Sequence, residues 1–150
     1  MRFLSKRDRV DKMKDARDVG GLVRILKYEK DAHLRSKAVR ALGELREMSA
    51  LNAVGSALKD GSTAVREKAV EALASMGTSK AVGSLIRALK DESSSVRKKA
   101  AESLGKIGDE SASDALRATL EDQSLQVRIA VDWALERINK KNRLEAQKSV

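Results

Sequence analysis

The sequence is defined first by residue types that it lacks: its 150 residues include no cysteine and no proline. Without cysteine the chain forms no disulfide and has no thiolate chemistry, a composition compatible with a reducing compartment, so we expect a cytoplasmic protein. Without proline nothing forces a break in a helix. No apolar run is long enough to cross a bilayer, so we expect no membrane span.

Aromatic side chains are also scarce. The chain holds one tryptophan, one tyrosine and one phenylalanine, although 41% of its residues are hydrophobic. The core must therefore be built from alanine, leucine, valine and isoleucine. Small side chains of this kind let helices approach closely, so the composition favours packed helices.

Groups that could perform catalysis are missing as well. His33 is the only histidine, so the sequence offers neither a pair of imidazole metal ligands nor a Ser-His-Asp set. No glycine-rich phosphate-binding loop is present. From these absences we expect a protein that is not an enzyme, with no catalytic residue, no metal site and no cofactor.

Charge is plentiful but unevenly placed. The net charge is +9. Residues 1–17 hold seven basic residues against three acidic ones, and residues 137–150 hold five against one. The remaining 119 residues hold 19 basic and 18 acidic residues and are nearly neutral. A neutral body with few aromatic rings for base stacking disfavours a nucleic-acid partner, which stays an alternative through the basic ends.

One short pattern recurs four times, at intervals of 31 residues. Its arginines are Arg35, Arg66, Arg97 and Arg128. An apolar residue precedes each arginine, and a leucine follows it seven positions later. Residues suited to N-capping recur in the same phase before each second helix: Asp31, Ser62, Ser93 and Ser124. A fixed period of this length predicts a repeat array.

The phase of these signals sets the boundaries. We predict an all-α fold, an α-solenoid of about four 31-residue helical hairpins. The predicted repeats are about 18–48, 49–78, 79–109 and 110–139. Residues 1–17 form a basic capping segment, whose apolar side is Phe3, Leu4, Val10, Met13 and Ala16. Residues 140–150 are a basic tail that either extends the last helix or frays.

Two of the repeats carry a more specific motif. Leu58-Lys59-Asp60 is followed by Val65-Arg66 and closes at Gly77, and the motif returns from Leu89-Lys90-Asp91 to Gly108. Repeat one lacks the closing glycine, and repeat four has Asn139 in its place. These residues resemble the HEAT-like repeats of the phycobilisome-lyase type. The resemblance implies antiparallel helix pairs stacked into a right-handed superhelix, with second helices on the concave face and Asp–Arg pairs along the stack.

The expected partner surface lies where the repeats differ at equal phase. Positions after the repeated arginine should face outward on the concave side. This face is predicted to be basic at one end, mixed in the middle and apolar at the other. The predicted partner-binding residues are Lys37, Arg40, Glu67, Lys68, Glu71, Lys98, Lys99, Glu102, Ile129 and Trp133.

Trp133 leaves two interpretations open. With Ile129 one turn before it, Trp133 could bind a partner, since tryptophan is enriched at binding hot spots. It could instead pack beneath a folded-back tail through Leu144 or Val150. Overall we expect a non-enzymatic scaffold that binds a protein or peptide. The alternatives are nucleic-acid binding through the basic termini and a lyase-like accessory role in chromophore attachment.

Overall fold

The computed structural model describes residues 5–149, with the backbone alone at residues 6 and 7, and this part of the chain contains helices and no strand. The predicted all-α repeat fold is confirmed. The chain forms two compact units, Met1–Met76 and Gly77–Val150. The predicted division into a cap, four repeats and a tail stays a prediction.

The described residues of the first unit, 5–76, form five α-helices, and two short 3₁₀ turns flank the fourth. The helices are α1 (Lys6–Asp15), α2 (Val19–Tyr28), α3 (Ala32–Leu45), α4 (Leu51–Ser56) and α5 (Thr63–Met76). The core forms where α3 packs against α2 and α5. Branched side chains at helical spacing fill it, among them Leu22, Val39, Leu42, Val65 and Leu73.

Helix α1 lies on the first hairpin. It packs against α2 and α3, and Val10 is buried there. Ser5 and Asp8 form a reciprocal capping box at its start, which satisfies two backbone N–H groups. Ala16, expected on its apolar side, is exposed, and Phe3 and Leu4 lie outside the described residues.

Residues 77–149 of the second unit form four α-helices. They are α6 (Ser79–Ala88), α7 (Ser94–Ile107), α8 (Ser113–Arg117) and α9 (Leu125–Lys148). Helix α7 packs against α6 and α9, and α8 packs against α9. The buried residues Leu104, Val127 and Ile138 belong to the α7 and α9 sides of this core.

The ends of the second helices differ from one repeat to the next. Gly77 and Gly108 follow α5 and α7 with positive φ angles of 59° and 69°, as expected for a helix-ending glycine. Arg46 takes the same left-handed conformation after α3, with φ of 51°. At Asn139 nothing ends the helix, and α9 continues to Lys148.

Only some of the predicted N-caps are present in the structure. Asp31 accepts a hydrogen bond from the His33 N–H at 2.8 Å, but Ser93 and Ser124 form no side-chain cap. Their own backbone N–H groups instead donate to the aspartates two residues earlier, Asp91 and Asp122. The serines therefore mark the helix starts, while the aspartates shape the turns.

Candidate functional site

The repeated arginines are structural. Arg35 donates two hydrogen bonds, both of 2.8 Å, to the two carboxylate oxygens of Asp60 in the next repeat. Arg97 forms the same pair with Asp122 at 2.8 and 3.0 Å. Each arginine also donates to a carbonyl oxygen of its own interhelical loop. The loop acceptors are Glu29 and Lys30 for Arg35, Asp60 for Arg66, Asp91 and Glu92 for Arg97, and Asp122 for Arg128.

These pairs change the acidity of their carboxylates. The Arg35 hydrogen bonds hold the pKa of Asp60 below its usual value, and the Arg97 hydrogen bonds do the same for the pKa of Asp122. Burial opposes both shifts without reversing them. Both carboxylates are therefore ionised at neutral pH and tie each arginine to the loop of the following repeat.

Most of the predicted site residues of the first unit form ion pairs with other residues of that unit. Lys37 pairs with Asp11 of α1 at 3.0 Å, and Arg40 pairs with Glu44 at 3.0 Å. Lys68 pairs with Glu71 at 2.6 Å, and Glu67 is half-buried.

The predicted residues of the second unit include its exposed apolar side chains. Ile129 is 54% exposed and Trp133 is 37% exposed, and Leu125 precedes Ile129 by one turn. On the neighbouring helix α7, Lys98 lies 3.8 Å from Glu102, and Lys99 is half-buried. The structure thus brings Ile129 and Trp133 of α9 beside Lys98 and Glu102 of α7.

These residues line a groove of about 450 Å³ that we call the α7–α9 groove. Its lining residues are Lys98, Glu102, Lys106, Gln126, Ile129, Ala130 and Trp133. Lys106 and Gln126 of this groove were not among the predicted residues, although each lies one turn from a predicted residue on α7 or α9.

The first unit contains the equivalent groove. The α3–α5 groove of about 230 Å³ is lined by Arg40, Gly43, Glu44, Lys68, Glu71, Ala72 and Ser75. Positions 62 residues apart, two repeat lengths, correspond in the two grooves. Glu71 of the α3–α5 groove thus corresponds to Trp133, and Glu67, which is not among the residues lining that groove, corresponds to Ile129. One backbone arrangement therefore carries charged pairs in the first unit and an apolar surface in the second.

A small residue explains why the helices meet here. A Cβ atom placed on Gly105 would lie 2.7 Å from the Cα of Ala134 and 2.7 Å from Cζ3 of Trp133. Gly43 has the same relation to Ala72, whose Cβ would lie at 2.6 Å. In each unit the two helices can approach this closely only because the glycine has no side chain. In the second unit the close approach also places the indole ring of Trp133 against α7.

The continuous α9 bears on one of the two interpretations of Trp133, packing beneath a folded-back tail, while its role as a binding residue stays a prediction. Leu144 lies eleven residues later on the same helix, about 16 Å along its axis, and is itself 49% exposed. The tail therefore does not fold back to bring Leu144 over the ring, and Val150 lies outside the described residues. Instead, the Arg137 guanidinium lies 5.4 Å from the centroid of the Trp133 ring.

A second depression continues from this point along α9. We call this depression, of about 300 Å³, the basic groove. It is lined by Gly105, Lys106, Gly108, Arg137, Lys140, Lys141, Leu144, Glu145 and Lys148. The sequence signal that could have found it is the helical spacing of Arg137, Lys141 and Lys148 after Trp133.

Residues 5–149 contain no cluster of three or more His, Cys, Asp or Glu side chains that could hold a metal ion. Among the helices described here, none combines the length and apolar character needed to cross a membrane.

Helical hairpins joined within each unit by a largely buried Arg–Asp pair define a helical-repeat protein. The chain belongs to the HEAT-repeat family, whose model matches residues 19–86 and 78–136. The resemblance to repeats of the phycobilisome-lyase type is confirmed. No curated protein matched the sequence.

Several solved structures are similar to this chain. Human deoxyhypusine hydroxylase, in complex with glycerol, is 31% identical, with a TM-score of 0.74 over 83% of this chain and 44% of that one. The complex of CpcE and CpcF of phycocyanin lyase from Nostoc sp. is 30% identical, with a TM-score of 0.70 over 83% of this chain and 54% of that one. A designed armadillo repeat protein in complex with the peptide (KR)4 is 21% identical, with a TM-score of 0.66 over 90% and 70%, and shows the fold alone.

These similarities correct one expectation. The chain was expected not to be an enzyme, and this is wrong: two of the similar structures, both about 30% identical to it, are an enzyme and a lyase complex of the same fold, which points toward enzymatic function. The expectation failed because it rested on missing side-chain types. The chain spans about half the length of these two proteins.

Proposed function

We propose that this HEAT-repeat chain binds another protein or a peptide through the α7–α9 groove. The observation that carries the proposal is the exchange of Glu67 and Glu71 in the first unit for Ile129 and Trp133 at the equivalent positions of the second. An exposed tryptophan beside an exposed isoleucine leaves apolar area in water that a partner would cover.

The groove is suited to this role because its shape is already formed. The indole ring rests against Gly105 and is flanked by Arg137, so few side-chain rotations remain to be lost on binding. Tryptophan and arginine are also the residue types most enriched at binding hot spots. Binding of a partner is compatible with catalysis in the intact protein, and a cytoplasmic location stays a prediction.

The test uses a substitution that the chain itself suggests. Trp133→Glu installs the residue found at the same phase in repeats two and three, Glu71 and Glu102. Proteins captured from a host extract by the immobilised chain would be purified, and their affinity for both forms measured by calorimetry. A hot-spot residue contributes about 2 kcal/mol or more, so we expect Kd to rise about 30-fold.

The matched control is Glu71→Ala in the α3–α5 groove, which should leave Kd within about twofold. Circular dichroism would show that both variants keep their helix content. A Kd that is unchanged in Trp133→Glu for every purified partner would refute the proposal.

A second candidate function is attachment of a chromophore, and the likeness to CpcE and CpcF of phycocyanin lyase favours it. Its test is covalent transfer of a bilin to apo-phycocyanin with and without the chain. Equal attachment in both reactions would count against it.

A further inference from the structure

The α7–α9 groove and the basic groove are neighbours that share a residue. Lys106 lines both, and Arg137 of the basic groove lies over the Trp133 ring of the other. Five basic side chains and a single carboxylate, Glu145, line the basic groove. An apolar surface therefore adjoins a strongly positive one on the same two helices.

Within residues 5–149, most of the positive charge of the basic groove is not paired with a carboxylate, although Lys141 is near Asp109, whose pKa is lowered by hydrogen bonds from Ser111 and also by this lysine. Across the described residues, no ion pair with a carboxylate involves Lys106, Arg137 or Lys140. The Lys141 ammonium group donates to the Ile107 carbonyl oxygen at 3.5 Å. The α3–α5 groove differs, because both of its cations, Arg40 and Lys68, are paired with Glu44 and Glu71.

The distance between the two surfaces limits the ligand. Trp133 and Lys141 are eight residues apart on α9, which corresponds to about 12 Å along the helix axis. An extended peptide covers that distance in about four residues. A nucleic acid would place phosphates on the lysines but would leave Ile129 and Leu125 uncovered, and Trp133 is the only ring there for a base to stack on.

Resting on the proposed function, we infer that the partner segment is acidic and apolar. One apolar side chain lies between Ile129 and Trp133. Two or more carboxylates, three to five residues away along an extended segment, bind Lys106, Lys140 and Lys141 (spacing of about 3.3 Å per residue). Opposite charges across such a surface speed association and select against basic partners.

The test is a selection from random peptides of about twelve residues displayed on phage, long enough to span both grooves. The full chain is the bait, and selected peptides are synthesised and measured by fluorescence anisotropy. We expect an apolar residue with Asp or Glu three to five positions to one side. Kd should rise about tenfold in Lys140→Glu/Lys141→Glu. Added salt should also raise the Kd of the parent chain, because it screens the attraction between the carboxylates and the lysines.

The matched control is Lys27→Glu/Lys59→Glu, which makes the same change in net charge at exposed positions of the first unit. It should leave Kd within about twofold, because neither lysine is among the residues that line the α7–α9 groove or the basic groove.

Three results would distinguish the proposed function, partner binding through the α7–α9 groove, from the inference that the partner segment is acidic and apolar. Peptides that need Trp133 but show no acidic preference would overturn the inference and leave the proposed function standing. An empty selection, or peptides that bind Trp133→Glu as well as the parent, would overturn both. If single-stranded DNA competes fully with the peptides and binding ignores Trp133, the surface recognises polyanions and the inference is wrong.

Discussion

Replacing Asp122 with alanine should destabilise the second unit by about 3 kcal/mol, because the change strands a buried guanidinium group. The side chains of Arg97 and Asp122 are only 7% and 9% exposed and share two hydrogen bonds. Removing one member of a buried pair costs about 3–5 kcal/mol in general. We expect the lower end, because Arg97 keeps its hydrogen bonds to the carbonyl oxygens of Asp91 and Glu92.

A double-mutant cycle separates the pair from the individual side chains. Arg97→Met removes the cation while keeping much of its apolar stem, and it is measured alone and together with Asp122→Ala. If the pair acts as a unit, the double variant should lose at least about 1 kcal/mol less than the two single losses combined. Asp60→Ala in the first unit is the comparison. Its pair with Arg35 is 17% and 11% exposed, so we expect a smaller loss of about 2 kcal/mol.

Urea unfolding provides the measurement. Trp133 is the only tryptophan and lies against α7, so its fluorescence follows the second unit, while far-UV circular dichroism follows all helices. Losses that add within about 0.5 kcal/mol would refute the claim that this pair is coupled.

Three further outcomes follow from the same structure. Because the pKa values of Asp60 and Asp122 are lowered in the folded protein, their ion pairs contribute fully to stability above the unfolded value of about 3.9, and this contribution is lost as pH falls through the folded values. The urea concentration at the unfolding midpoint should therefore decrease when the pH is lowered below about 4. The decrease should be less steep in Arg97→Met/Asp122→Ala. Arg46→Gly should raise the free energy of unfolding by about 0.5–1 kcal/mol, because it relieves a left-handed conformation with φ of 51°; a lower Tm would contradict this. Gly43→Ala should cost about 1–3 kcal/mol, since its new Cβ would lie 2.6 Å from that of Ala72, whereas Gly83→Ala, which meets nothing within 4 Å, should be neutral or stabilising in the same thermal melts.

The sequence predicted the repeat fold well because the same packing problem recurs in every repeat. Arg35 and Arg97 each donate to the carbonyl oxygen five residues earlier, in the loop before their helix. The same residue type at the same position of the repeat therefore makes the same contact. The serine caps were less predictable, because a serine at a helix start has several possible partners. Ser93 illustrates this, since its hydroxyl lies 2.9 Å from that of Ser95.

The candidate site was only partly predictable, for a different reason. Ile129 and Trp133 stand out as departures from a repeat pattern, and such departures can be read along the chain. Lys106 and Arg137 become relevant only because Gly105 lets α9 approach α7, which is a contact between residues about 30 positions apart. The spacing of side chains along one helix does not report how closely a second helix approaches it.

The close approach at Gly43 means that the first unit already holds the backbone of the second unit's groove. Three exchanges, Glu67→Ile, Lys68→Ala and Glu71→Trp, would copy the apolar lining of α9 onto α5. A chain so altered would present two like surfaces, and a ligand with two tethered segments would gain avidity without any improvement in either contact. The repeat architecture thus makes the valency of this protein a property that a few side chains can change.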